Sequence, residues 1–171
     1  MAAIAAAGGR AVAALCDITD YTAVTQAVAG FEAHTARDTD ILVNNAGWDT
    51  PLPFLTTDAA FWHKVTAINW FGPLHMTHAV AQGMALRKAG RIINIASDAG
   101  RVGASGEVAY SGCKGATIAF AKALAMVRGV PMGRIGQPDD YPGLVAFLAS
   151  DDAAFMTGQT ISVAGGLSMH G

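Results

Sequence analysis

The chain has 171 residues, 52% of them hydrophobic and 14% charged, with a formal net charge of −2. This describes a compact soluble domain with a large core, and the scattered Lys and Arg, with no basic excess, exclude a nucleic-acid partner. No apolar run approaches the ~18 residues needed to cross a membrane, and two cysteines, Cys16 and Cys113, make no disulfide framework and suit a reducing, cytoplasmic setting.

Residues 1–7 are alanine-rich without a basic flank, so they read as the tail of a helix stopped at Gly8, not as a signal peptide. Residues 10–16 are rich in Val, Ala and Leu and predict a strand. Asp17 and Ile18 follow; Asp17, Thr19 and Asp20 can each cap the next helix. That helix, 21–36, places Val24, Val28 and Phe31 on one side. Residues 41–43 form a short strand pattern that runs straight into Asn44-Asn45-Ala46-Gly47. From 58 to 88 the spacing of Phe61, Val65, Ile68, Phe71 and Leu74 is helical, and Gly72-Pro73 inside it predicts a kink or break near Asn69. Residues 91–96 predict a strand and 110–127 an alanine-rich helix. Residues 139–148 predict a helix with an acidic pair at its positive end and Pro142 in its first turn, and 160–164 a last strand. Strands alternating with helices imply a parallel sheet with helices on both faces. No linker or repeat divides the chain, which reads as one domain over 1–171.

The chemistry concentrates between Ser97 and Lys114. Tyr110 and Lys114, at i and i+4, share one face of a helix. An ammonium beside a phenol favours the phenolate, which makes a tyrosine usable as an acid or base near neutral pH. Ser97, at the end of a strand, can donate to the same substrate oxygen. Alone, the Tyr–Lys pair reads as an exposed helical pair; Ser97 before it, after a strand-like run, favours the chemical reading. Cys113 stands next to Lys114 without a histidine or acid placed to activate it and reads as a packing residue. His75 and His78, at i and i+3, lack a third ligand, so no metal site is expected; His34, His63 and His170 read as surface residues.

Taken in order, N-N-A-G at 44–47, Asn69 in A-I-N-W, Ser97, Tyr110 and Lys114, then G-R-I-G-Q-P-D-D at 133–140 and T-G-Q-T-I-S-V-A-G-G at 157–166, resemble the short-chain dehydrogenase/reductase family from about residue 11 to the end. The resemblance implies a Rossmann-like doubly wound parallel sheet. It implies an NAD(P)-dependent oxidoreductase with Asn69, Ser97, Tyr110 and Lys114 as catalytic tetrad. NAD is the expected cofactor, with NADP not excluded. Asp17 would meet the adenine amino group and Ile18 its ring, while Asn44, Ala46, Gly47, Tyr110 and Lys114 would line the rest. Trp48, Trp62 and Trp70 read as packing residues, although Trp48 could border cofactor or substrate. A homotetramer built on segments 58–88, 110–127 and 160–164 is expected. Wording such as N-N-A-G-W-D and N-I-A-S-D-A-G-R-V-G-A-S-G-E is similar to a branch acting on alicyclic hydroxyacyl-CoA thioesters. Reductases of 3-oxoacyl carrier-protein thioesters are the next nearest, and a non-catalytic member of the fold is the reading of another class.

The chain also departs from the family. A glycine-rich turn of the form T-G-x-x-x-G-x-G does not occur in it, and Met126 to Pro131 leads almost directly to Gly133, where a sixth strand and a substrate loop are expected. Members run to about 250 residues as one domain, so about eighty are missing, split between these two places. The favoured expectation is that the protein possesses segments this sequence omits; true deletion would leave no useful dinucleotide affinity.

Overall fold

The computed structural model describes residues 1–125, 132–134, 136–156, 161, 163 and 165. They fall into two compact units, Met1–Thr117 and Ile118–Gly171.

The first unit opens with a short helix, α1 (Ala2–Ala6), stopped by Gly8 at φ +77°. The strand expected at 10–16 does not form. Val12 is half exposed, Leu15 fully so, and no ladder reaches them among the described residues. A strand pattern becomes a strand only when a neighbour accepts its hydrogen bonds, and the one described pairing lies elsewhere.

Helix α2 (Tyr21–Thr35) begins where Asp20 accepts the N–H groups of Thr22 and Ala23, so Asp20 is the cap. Asp17 instead turns back on Thr19, accepting from its N–H at 2.9 Å and its hydroxyl at 2.8 Å. Strand β1 (Ile41–Asn44) pairs in parallel with β2 (Arg91–Asn94), Ile41 opposite Arg91 and Asn44 opposite Asn94. β2 stops two residues short of the expected end.

The long helical segment is broken near Asn69, as expected. Asp58 caps α3 (Ala59–Thr66), a π-helical turn occupies Ala67–Phe71, and α4 (Gly72–Arg87) follows. Pro73 has no N–H for the Asn69 carbonyl four residues back, and the backbone takes its wider turn just before it, the Gly72 N–H reaching back to Ala67. A four-residue helix, α5 (Ala99–Val102), was not expected; α6 (Val108–Ala125) starts two residues earlier than expected.

The core lies where α2 and α4 pack over one sheet face: Leu42, Val80 and Met84, with Val28, Met76 and Ile92 against them. On the other face Ile41, Val43, Ile93 and Ile95 stay half exposed.

In the second unit the helix expected at 139–148 is two pieces, a 3-10 turn (Pro138–Asp140) and α7 (Pro142–Leu148). Pro142 cannot donate to a carbonyl one turn back, so it starts a helix instead of continuing one. The motif G-R-I-G-Q-P-D-D is a clamp: Arg134 donates two 2.6 Å bonds to the Asp140 carboxylate, which also accepts the Gln137 N–H. Of the strand expected at 160–164, residues 160, 162 and 164 lie outside the described residues.

Two outcomes follow from these caps. Asp20→Ala costs about 1 kcal/mol, read by urea unfolding; an unchanged midpoint would show that the cap carries no load. The guanidinium of Arg134 holds the Asp140 carboxyl well below the usual carboxylate range. A depressed pKa stabilises the fold fully above the unfolded value near ~4 and loses that contribution as pH falls. Asp140→Asn should therefore lower the Tm at pH 7, by a gap that begins to close only below about pH 4. Tm curves that stay parallel down to acid pH would refute this.

Candidate active site

β1 ends in Asn44 and Ser97 follows the end of β2 by three residues, and in open parallel sheets ligands bind beyond the carboxyl ends of the strands. Asn44 closes β1. Its buried side chain donates to Asn94 at 2.9 Å and to Thr77 at 3.2 Å, tying β1 to β2 and α4, while its carbonyl accepts the Ile95 N–H. Asn44 thus braces the strand ends with its side chain, while its carbonyl serves the ladder.

Beyond it, Asn69 controls the loop. It is fully buried in the π-helical turn. Its amide nitrogen donates to the Trp48 carbonyl at 2.6 Å and to the Val65 carbonyl at 2.9 Å, and its oxygen accepts the Trp48 N–H at 3.3 Å. One side chain therefore holds both polar groups of the Trp48 residue. Gly47 fits because a Cβ there would lie 3.0 Å from the Asn69 oxygen. The Trp48 ring turns to α3, against Phe61 (5.8 Å between centroids) and under the Lys64 ammonium at 3.7 Å.

Tyr110 and Lys114 lie on α6, as their spacing predicts. The Lys114 ammonium is 5.4 Å from the Tyr110 ring centroid and donates to the Ile95 carbonyl at 2.7 Å. Lys114 is buried, and desolvation pushes its pKa down, with the charge at Cys113 opposing weakly. Among the described residues no carboxylate forms an ion pair with it. Cys113 is buried against Thr66, and desolvation raises its thiol pKa, the wrong direction for a nucleophile.

Ser97 sits in the turn entering α5. Its hydroxyl oxygen accepts the Ala99 N–H at 3.2 Å and its carbonyl accepts Gly100 N–H at 3.0 Å, leaving the hydroxyl proton available to a ligand. Gly100 brings this turn against α6: a Cβ there would stand 2.5 Å from the Lys114 carbonyl carbon and 2.6 Å from the Gly115 nitrogen. Sequence reasoning assigned Gly100 no role; the glycine at 115 was the available signal for a close crossing.

The dinucleotide implied by the resemblance is met in part. Ile18, Val43, Asn44, Asn45, Ala46, Pro73 and Met76 line a cleft of about 100 Å³ at the end of β1, apolar enough to take the face of a ring. Ile18 and Ala46 thus line one cleft, whereas Asp17 is exposed and engaged with Thr19. For the pyrophosphate, the sequence offers no glycine-rich turn of the required form. Among the described residues no cluster of His, Cys, Asp or Glu could hold a metal; His75 and His78 instead flank the Tyr21 ring. Sequence reasoning also missed Asp49, whose Oδ2 is buried without a hydrogen-bonding partner.

The Gly100 crossing is directly testable. Gly100→Ala meets backbone that cannot step aside, so it should cost about 1–3 kcal/mol and lower turnover by displacing Ser97 from Lys114. Gly112→Ala, on the same helix with nothing within 4 Å of its Cβ, is the control and should fold like the parent. Equal stability and turnover for the two variants would contradict the role given to Gly100.

Comparison with known proteins bears on the same residues. Residues 1–129 match the short chain dehydrogenase family, and 126–168 match the family described as enoyl-(acyl carrier protein) reductase. An acetoacetyl-CoA reductase of Shinella zoogloeoides is 36% identical, over 88% of this chain and 76% of its own. A 3-oxoacyl-[acyl-carrier-protein] reductase of Synechocystis is 32% identical, over 99% and 81%. These aligned stretches, 191 and 200 residues, exceed the 171 of the chain, so both relatives carry residues without a counterpart in it. NAD+-bound xylitol dehydrogenase superposes with a TM-score of 0.70 at 28% identity, over 96% of this chain and 82% of that one. A short-chain dehydrogenase from Streptomyces avermitilis gives 0.67 at 31%, over 72% of this chain and 45% of its own length. The chain belongs to the short-chain dehydrogenase family, a family of NAD(P)-dependent oxidoreductases.

Proposed function

We propose that this protein interconverts a secondary alcohol and a ketone on a hydroxyacyl or ketoacyl thioester, with NAD(P) as redox partner and Asn69, Ser97, Tyr110 and Lys114 as its working residues. The observation that carries the reading is the Gly100 crossing, which sets the Ser97 turn against the helix face bearing Tyr110 and Lys114. The nicotinamide, when bound, supplies or accepts the hydride.

The chain's own residues manage the proton. In reduction the Tyr110 hydroxyl delivers its proton to the carbonyl oxygen, and in oxidation the Tyr110 phenolate removes one from the alcohol. Ser97, its oxygen already engaged by the Ala99 N–H, donates to the same substrate oxygen and stabilises the charge that develops there. Lys114, whose burial favours loss of its proton, replenishes Tyr110. Asn69 fixes the loop that runs from Asn44 to Trp48, so that Ala46 and Gly47 present bare backbone to the cofactor.

The preferred substrate is 2-hydroxycyclohexanecarboxyl-CoA with NAD, on the wording around Asn44 and Ser97. The relatives named as acetoacetyl-CoA and 3-oxoacyl carrier-protein reductases favour a 3-oxoacyl thioester as the second reading. NAD as cofactor is supported by the xylitol dehydrogenase likeness. We further assign a cytoplasmic location, on the two unpaired cysteines, and a homotetramer.

Steady-state assays with both thioesters and both cofactors separate the readings, and turnover of the carrier-protein thioester with NADPH alone would overturn the CoA choice. Tyr110→Phe should lower kcat by about 10²–10⁴. Turnover unchanged by that substitution would remove the catalytic assignment and leave a non-catalytic member of the fold.

A further inference from the structure

We propose that His75 is a positioning residue for the cofactor, acting through Ile18; the proposal rests on the cofactor reading of the cleft beside β1. His75 stands in the first turn of α4 with its ring Nδ1 2.9 Å from the Ile18 carbonyl oxygen. A carbonyl only accepts, so Nδ1 carries the proton and the tautomer is set. The side chain of Ile18 is seated by the same turn: a Cβ on Gly72 would come within 2.5 Å of Ile18 Cδ1. Only a glycine leaves that room. Main chain and side chain of Ile18 are therefore both fixed to α4, by His75 and by the bare backbone of Gly72.

Three residues on, Tyr21 strengthens the attachment. Its ring lies 5.4 Å from that of His75 and 5.6 Å from that of His78, and its hydroxyl pairs with His78 Nδ1 at 2.7 Å. The pair at i and i+3 that resembles half a metal site is thus a bracket holding the segment from Ile18 to Tyr21.

The bracket matters because, among the described residues, no strand pairing upstream holds Ile18. Segment 10–16, which leads into Ile18, makes no ladder among the described residues. Ile18 forms one wall of the cleft; Pro73 and Met76, from α4, form another. The width of the cleft therefore follows the His75–Ile18 bond, and so does the fit of whatever ring enters it.

The test is cofactor binding by titration of intrinsic fluorescence with NADH and with NADPH, alongside steady-state kinetics and Tm. His75→Ala should weaken binding of the preferred cofactor about tenfold, the worth of one good hydrogen bond, with the loss in the cofactor KM and not in kcat. His75→Asn, whose amide nitrogen can take the place of Nδ1, should restore most of the affinity. A purely structural role for His75 would lower the Tm of both variants alike without the KM shift. Unchanged affinity in His75→Ala, or a loss that His75→Asn does not repair, overturns the proposal while leaving the cofactor reading in place. A parent protein that binds neither NADH nor NADPH removes both.

Discussion

The arrangement depends on one carboxamide. Asn69 is a polar side chain with no exposure, and burying an amide is tolerable only when its groups are bonded. It bonds to main chain on two sides, the Val65 carbonyl in its own helix and the Trp48 residue in the loop after β1. The π-helical turn, placed by Pro73, makes this reach possible by swinging the side chain out of the regular helical path. Without the wide turn, Asn69 would not face the loop. Without Asn69, the Trp48 peptide groups would need other partners.

A second layer of constraint is steric. Gly100 and Gly115 let the Ser97 turn and α6 touch backbone to backbone, so the relation of Ser97 to Lys114 is set by main-chain geometry and not by rotamers. Lys114 sits in an unfavourable environment, buried and bonded to the Ile95 carbonyl. Polar clamp, glycine crossing and desolvated amine all gather at the carboxyl ends of two strands only four residues long. The site is therefore held more by its loops and helices than by the sheet.

Much of this was legible in the sequence because the signals were local. Tyr110 and Lys114 needed only the helical repeat, and Gly72-Pro73 announced the break that became a π-helical turn. Residues 10–16 misled because a strand depends on a partner, which composition cannot supply. Pro142 misled by three positions: read in the first turn of a helix from 139, it begins one. The His75–Ile18 bond, 57 residues apart in sequence, and the Asn69–Trp48 clamp, 21 apart, are tertiary facts without a local signature. His75 and His78 were visible as a pair, but their spacing reported only a shared helix face, not that Tyr21 would stand against it.

The open face of the β1–β2 pair bears on how this polypeptide behaves as a colloid. Ile41, Val43, Ile93 and Ile95 form a continuous aliphatic row beside Arg91. Parallel strands occur almost only where both faces are covered, and contiguous bare aliphatic surface drives self-association. The exposed row is a surface on which one copy of the chain can meet another, and cosolutes that strengthen apolar burial, such as sulfate, favour that contact even as they tighten the core.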